Sequence, residues 1–378
     1  MIIAGDYHTF LIDSENNVLA CGQNGSGQLG LGNNQILDTF QLVPTDLIPY
    51  RSDVTNTLIK SIAVGDEHSV MITSDNKVAM SGSNYVGQLG IDKENLSEFT
   101  VVHDKIEAKM VSCGTRTTVI LAYNGDIHLT GLGIIKGVGV QPMQLVNCNY
   151  LFDTDNLDEA DLETGDHRFY GDWIRVCNDQ LLVIDTLERL WYCSEQTSPK
   201  LIESGIAAVE ADIVGDTILI RDSHGNVFPY VIDESEQETD PVAVGVLTME
   251  HSSDRIFALS EGSVVVIDED STTDLGLEGV KRLGVSNNSV FAYTDVLLAK
   301  GFNYSGQLGL GSEFYSQSVP EFTEVDISGD TLDVSTGVTG VSGVTGIDDY
   351  TEIDDYTDVT GFTGIDADSI DDIEEVGA

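Results

Sequence analysis

A nine-residue phrase occurs three times in the sequence, as GQNGSGQLG at residues 22–30, GSNYVGQLG at residues 82–90 and GFNYSGQLG at residues 301–309. Each copy ends in Gly-Gln-Leu-Gly and follows short apolar runs that are separated by polar turns. Such runs are typical of β-hairpins. Repetition at intervals of tens of residues indicates stacked supersecondary units, because one unit cannot bury its apolar face alone. The phrase therefore predicts a repeat protein built from β-hairpins.

A second regular interval precedes the phrase. A glycine lies seventeen residues before another glycine in four pairs, which are Gly5 and Gly22, Gly65 and Gly82, Gly114 and Gly131, and Gly284 and Gly301. In the first two pairs the leading glycine opens a Gly-x-x-His motif that contains His8 or His68. The interval indicates four hairpins of similar length.

These residues resemble the repeat of the regulator-of-chromosome-condensation family, whose members form a seven-bladed β-propeller. The resemblance is clear in the first, second and last repeats and partial in the third. Between them, residues 173–194, 209–230 and 249–267 each show two apolar runs around a turn. We therefore expect an all-β chain with seven blades, and six blades is the alternative count.

The repeats predict a propeller domain over residues 1–328 and an acidic low-complexity tail over residues 329–378. Residues 318–325 follow the last phrase much as residues 41–47 follow the first. We expect this late strand to pair with the first hairpin, so that the N- and C-terminal strands close the ring and leave no open edge. For the tail we expect disorder. The alternative is strands that form against a partner by edge addition, which would tether the propeller to an assembly.

The recurrent positions of the repeat have structural explanations. Glycine adopts positive φ without a Cβ clash, which suits tight turns. We expect the glutamines to bond backbone groups, the leucines beside them to fill the seams between blades, and the histidines to form hydrogen bonds between blades. The positions are Gly5, His8, Gly22, Gln28, Gly30, Gly65, His68, Gly82, Gln88, Gly90, Gly301, Gln307 and Gly309.

Acidic residues dominate the charge of the chain, with 64 Asp and Glu against 17 Lys and Arg and a formal net charge of -47. Residues 301–378 hold 18 of the acidic residues, so the first 300 residues still carry 46 against 17 basic ones. Binding to a nucleic-acid backbone needs clustered basic residues, and this composition excludes it. The charge has two interpretations, which are solubility and the steering of a basic partner.

An acidic segment lies in the longest predicted connection, between the third and fourth units. Its carboxylates are the candidate partner-binding residues Asp153, Asp155, Asp158, Glu159, Asp161 and Glu163. The spacing fails the calcium-loop template, since Asp158 stands where that loop needs glycine and Thr164 replaces the final glutamate. The alternatives are a solvated loop and a contact with a partner.

The sequence shows no arrangement typical of catalysis, and we expect no enzymatic activity, no cofactor and no metal. The glycine-rich phrases are not followed by the helix that a phosphate site needs. The five cysteines form no CxxC pair, which suits free thiols in a reducing compartment. A signal peptide and a long apolar span are not recognisable, so we expect a soluble protein that is intracellular or particle-associated and does not bind membranes.

Three functions fit these expectations. The first is a non-enzymatic scaffold that binds another protein through an acidic propeller surface and is tethered by its tail. The second is a guanine-nucleotide exchange factor for a small GTPase, which the resemblance implies. The third is a structural component of a large particle such as a virion.

Overall fold

A computed structural model describes residues 1–327 of the chain apart from residues 46–57, 93, 133, 137–140, 153–168, 233, 235, 236, 238, 239, 253, 269 and 270. In this part the chain forms 27 β-strands and two short 3-10 helices, Asn149–Leu151 and Ser312–Phe314. The strands lie in seven antiparallel sheets, each made of consecutive strands. The expected seven-bladed all-β propeller is confirmed.

The blades follow one another along the chain. Blade one consists of β1 (Ile2–Ala4), β2 (His8–Ile12), β3 (Val18–Gly22) and β4 (Leu37–Leu42), and blade two of β5 (Ile59–Val64), β6 (His68–Thr73), β7 (Val78–Gly82) and β8 (Leu96–Val101). Blade three consists of β9 (Ala108–Cys113), β10 (Thr117–Ala122), β11 (Ile127–Gly131) and β12 (Gln141–Asn147).

The weakly matched centre of the sequence forms three further blades. Blade four consists of β13 (Gly171–Cys177), β14 (Gln180–Asp185), β15 (Leu190–Cys193) and β16 (Lys200–Ile202), and blade five of β17 (Glu210–Val214), β18 (Thr217–Arg221) and β19 (Val227–Val231). Blade six consists of β20 (Val246–Ser252), β21 (Arg255–Ser260), β22 (Ser263–Ile267) and β23 (Thr272–Glu278), and blade seven of β24 (Arg282–Val285), β25 (Ser289–Tyr293), β26 (Leu297–Phe302) and β27 (Ser318–Glu324). The first strands of neighbouring blades contact each other and surround a central channel.

The apolar core lies in the seams between blades. Phe10 and Met71 share a cluster between blades one and two, and Phe257 and Leu283 share one between blades six and seven. The largest cluster joins blades three, four and five and contains Trp173 and Trp191 among others. Because apolar surface is buried at each seam, every blade depends on both of its neighbours.

The ring closes by packing and not by a shared sheet. Ser318–Glu324 pairs with β26 of its own blade, and Ile2–Ala4 supplies the inner strand of blade one. The prediction that the late strand pairs with the first hairpin is therefore wrong, because blade one is already complete. The two ends still meet, since Ile2 and Phe291 lie in one buried cluster.

Gly284, one of the regularly spaced glycines, does not occupy the position in blade seven that Gly5 occupies in blade one. In blade one the N–H of Gly5 bonds to the carbonyl three residues later, and in blade seven Ser286 makes this bond. Gly284 instead lies inside β24, where an added Cβ would come within 2.6 Å of Ile2 Cγ2. Its missing side chain allows blade seven to pack closely against blade one.

All five cysteines are free thiols and four of them are buried. Within residues 1–327, as far as they are described, no helix has the length and apolar character needed to cross a membrane. The predicted boundary at residue 328 and the predicted tail over residues 329–378 lie outside the described residues and stay predictions.

Candidate protein-interaction surface at the channel mouth

The three copies of the repeated phrase form loops of one conformation between the third and fourth strands of blades one, two and seven. We call them the seam loops. In each loop an asparagine Oδ1 accepts a hydrogen bond of 2.9 Å from a leucine N–H, in the pairs Asn24 and Leu29, Asn84 and Leu89, and Asn303 and Leu308. The glutamine Oε1 accepts the N–H two residues earlier at 2.9–3.1 Å. The first, sixth and ninth residues of each loop are glycines with positive φ, which explains the spacing of the phrase.

Each seam loop is bonded to the next blade around the ring. The backbone carbonyl of its glutamine accepts a hydroxyl hydrogen bond, at 2.7 Å from Ser69 to Gln28, 2.8 Å from Thr118 to Gln88 and 2.8 Å from Thr9 to Gln307. Gln307 belongs to blade seven and Thr9 to blade one. The joint that closes the ring is therefore chemically the same as the joints inside it.

The recurrent histidines lie in the same joints. The Nε2 atom of His8 is 2.8 Å from Ser69 Oγ, and that of His68 is 3.0 Å from Thr118 Oγ1. Burial, together with His68, lowers the pKa of His8 to about 3, and burial lowers the pKa of His68 to about 4. Both imidazoles are fully buried and neutral at physiological pH, so their positions serve packing between blades.

The hairpins between the first and second strands surround one end of the channel. There a cavity of about 110 Å³ is lined by parts of six blades, including Gly5, Gly65 and Gly114. We call five acidic residues of these hairpins the mouth cluster, namely Asp6, Asp66, Glu67, Asp179 and Asp216. Three of them, Asp6, Asp66 and Asp179, line the cavity, while Asp254 of the blade-six hairpin is left out because it is paired with Arg255 at 3.7 Å. Arg116 of blade three offsets part of this charge. The mouth is thus a concave surface on which carboxylates outnumber basic groups.

Two residues of the mouth cluster also accept hydrogen bonds from hairpins of neighbouring blades. The Asp6 carboxylate accepts two hydrogen bonds of 2.9 Å from the backbone and side chain of Asn287, and Asp179 Oδ1 accepts one of 3.0 Å from the N–H of Thr115. Burial raises the pKa of Asp66 to about 6, with further contributions from Asp6 and Asp179. Burial is the largest cause and the two nearby carboxylates add to it, so a cation bound at the mouth would favour the ionised form of Asp66.

A buried ion cluster lies in the channel wall behind the mouth. Arg175 is fully buried and contacts Asp212 and, at 3.1 Å, Glu210, while Arg221 Nε bonds Glu210 Oε2 at 2.7 Å. Burial opposes ionisation of Asp212, but Arg175 outweighs it and holds the pKa of that carboxyl below its ordinary range. We did not predict this cluster from the sequence. Its signal is the charged residues inside the apolar runs 173–177 and 210–214.

The predicted partner-binding loop cannot be placed in this description. Its carboxylates Asp153, Asp155, Asp158, Glu159, Asp161 and Glu163 lie in residues 153–168, outside the described residues. Their role in binding a partner stays a prediction.

Comparison with known proteins assigns the repeat. Residues 15–72 and 59–88 match family models described as the regulator of chromosome condensation (RCC1) repeat. Residues 15–88, in blades one and two, thus carry regulator-of-chromosome-condensation repeats. A region of 159 residues, 38% of the chain, is 29% identical to the guanine nucleotide exchange factor SRM1 of Saccharomyces cerevisiae, and a region of 133 residues is 29% identical to the ultraviolet-B receptor UVR8 of Arabidopsis thaliana. These regions span 32% and 28% of the two relatives, so the chain matches about a third of their length.

Two solved structures agree with the fold over most of the chain. The structure of Prp20p from Saccharomyces cerevisiae matches with a TM-score of 0.63 at 13% identity, over 87% of this chain and 88% of that one. Human WBSCR16 matches with a TM-score of 0.61 at 16% identity, over 84% of this chain and 96% of that one. At these identities the likeness concerns the fold alone.

Proposed function

We propose that this protein is a non-enzymatic interaction scaffold whose acidic channel mouth binds a basic segment of a partner protein. The observation that carries the proposal is the mouth cluster, where Asp6, Asp66 and Asp179 from three blades line one cavity and the pKa of Asp66 is raised to about 6. Complementary charge across such a surface steers association and favours one class of partner. The net charge of the chain, -47, also favours association with a basic partner.

The relatives support a protein as the partner. The Prp20p structure is described together with the binding of that protein to Gsp1p and histones, and another yeast structure shows it bound to Kap60. We extend to this chain the general role of a propeller that binds proteins, and we take the identity of its partner as open to experiment.

A matched pair of charge reversals tests the proposal. Glu67→Lys with Asp216→Lys changes two exposed residues of the mouth, while Glu15→Lys with Glu107→Lys changes two exposed residues of turns at the opposite end of the blades. We expect a short lysine-rich peptide at about 0.15 M salt to bind the mouth variant about tenfold more weakly than the native chain, since each exposed charge pair contributes about 0.2–1 kcal/mol. The control variant should bind as the native chain does, measured by isothermal titration calorimetry. An equal loss in both variants would show binding to overall charge and refute the mouth as the site.

Guanine-nucleotide exchange on a small GTPase is the second candidate, favoured by the 29% identity with SRM1. The test is release of a fluorescent nucleotide from a panel of preloaded small GTPases, and acceleration by the purified chain would support exchange. The particle-component hypothesis can be tested through residues 329–378. Deleting them should abolish association with the native assembly if the tail is a tether.

A further inference from the structure

Three side chains of different chemistry converge where the inner strands of blades four, five and six end. They are Cys177 at the end of β13, Asp212 in β17 and His251 in β20, and one ligand atom of each lies within 4.8 Å of the other two. Cys177 and Asp212 are fully buried, while the His251 side chain is about one-fifth exposed and lines the cavity at the channel mouth. Residues far apart in sequence thus form a compact donor set that opens towards solvent on one side.

Within the described part of the chain, the contacts among these three side chains leave one ring nitrogen of His251 without a hydrogen bond. The Cys177 thiol donates to Asp212 Oδ1 at 3.0 Å. The Nδ1 atom of His251 is buried and makes no hydrogen bond among the described residues, because the nearest carboxylate oxygen, Asp212 Oδ1, lies 3.6 Å away. An imidazole nitrogen that is buried without a partner is costly unless something binds it.

We propose that Cys177, Asp212 and His251 form a binding site for a divalent transition metal of the zinc class, which joins blades four, five and six at the channel mouth. Thiolate, imidazole and carboxylate are the ligands that zinc takes in proteins, at about 2.3 Å for sulfur and about 2.0–2.2 Å for nitrogen and oxygen. Ligand atoms around a tetrahedral ion are then about 3.5 Å apart. The distances from Asp212 Oδ1 to Cys177 Sγ and His251 Nδ1, 3.0 and 3.6 Å, are close to this spacing, and binding would draw together the three ligand atoms, which now lie within 4.8 Å of one another.

Neighbouring groups prepare the site for an ion. Arg175 binds Asp212 Oδ2, while Oδ1 accepts the N–H of Ile213 at 2.9 Å and faces Cys177 and His251. Partners of this kind orient the ligands of metal sites. The ion would take the place of the thiol hydrogen, and that proton would leave to solvent, so binding should tighten as the pH rises. The cavity beside His251 leaves room for water as a fourth ligand.

The sequence could not reveal this site. Metal motifs are recognised when ligands lie a few residues apart, but these three lie 35 and 39 residues from each other along the chain. Each ligand occupies a short apolar strand, where a single polar residue has many structural explanations. Only the ring arrangement of the three inner strands brings the ligands together.

Cobalt(II) titration of the full chain, after removal of bound metal with a chelator, tests the proposal. Cobalt serves as the probe because a thiolate ligand gives it a charge-transfer absorption in the near ultraviolet, which the many surface carboxylates cannot produce. We expect this absorption to saturate at one equivalent per chain and to disappear when zinc is added. The test does not depend on the proposed partner of the mouth.

Four variants separate the site from other binding. Cys177→Ser should abolish the absorption, and His251→Ala should weaken cobalt binding at least tenfold. Cys113→Ser, at a half-buried cysteine of blade three, and His224→Ala, at an exposed histidine, should leave both unchanged. If Cys177→Ser does not fold, His251→Ala carries the test, because that side chain is partly exposed. Absence of the absorption in the native chain, its persistence in Cys177→Ser, or an unchanged cobalt affinity in His251→Ala overturns the proposal.

Discussion

Shortening Leu308 to alanine tests how the ring closes. Leu308 is fully buried between blades one and seven, and its N–H is bonded to Asn303 Oδ1 at 2.9 Å. Loss of a buried leucine side chain destabilises a protein by about 2–5 kcal/mol, and the cost is larger where the surroundings cannot collapse. Since Leu308 sits between two sheets fixed by hydrogen bonds, we expect Leu308→Ala to lower the free energy of unfolding by about 3 kcal/mol.

Leu89→Ala is the matched change at a joint inside the ring. Leu89 is also fully buried, and its N–H makes the same hydrogen bond of 2.9 Å to an asparagine. If blade seven is joined to blade one as blade two is joined to blade three, the two costs should agree within about 1 kcal/mol.

Urea unfolding followed by circular dichroism measures both variants. We expect both midpoints to fall while the dependence of the unfolding free energy on urea stays the same, because the surface exposed on unfolding does not change. A cost below about 1 kcal/mol for Leu308→Ala, beside the full cost for Leu89→Ala, would mean that the last joint is open and would refute the closed ring.

Three further substitutions probe the charged groups. A rise in the pKa of Asp66 from 3.8 to about 6 corresponds to about 3 kcal/mol at neutral pH, which partial exposure reduces to about 1–2 kcal/mol. Asp66→Asn should therefore stabilise the protein by that amount above pH 6, and the gain should vanish by about pH 4, where the carboxyl is protonated in both states; equal gains in urea unfolding at both pH values would contradict this. Arg175→Met should cost about 3–5 kcal/mol in the same assay, because buried Asp212 loses its arginine partner and buried Glu210 keeps only Arg221. Lys281→Met, at an exposed ion pair, should cost less than about 1 kcal/mol.

The sequence predicts the architecture well because the seam loops depend on local chemistry. Three glycines with positive φ, one asparagine and one glutamine define each loop, so the phrase marks blades one, two and seven. Blades four to six lack the phrase and were recognised from their apolar runs alone. Their inner hairpins use other turns, such as Asn178 and Asp179, which both adopt positive φ.

The candidate site was harder to predict. Members of the mouth cluster come from hairpins of blades one, two, four and five, and acidic residues are common throughout the chain, so their convergence has no local signature. The prediction of how the ring closes is wrong for a similar reason. Whether residues 318–325 pair with β2 or with β26 depends on which sheet already has a complete set of strands, and a pattern within one strand does not contain that information.

The blades are contiguous in sequence, and this affects how the molecule can be assembled. Among the described residues, each sheet is formed by strands that are consecutive in sequence. The strands of one blade can therefore pair during synthesis before the next blade leaves the ribosome. Moving the chain ends to a connection between two other blades would cut no ladder. Each blade buries its apolar faces only when it packs against its neighbours, so the ring is complete once blade seven packs against blade one.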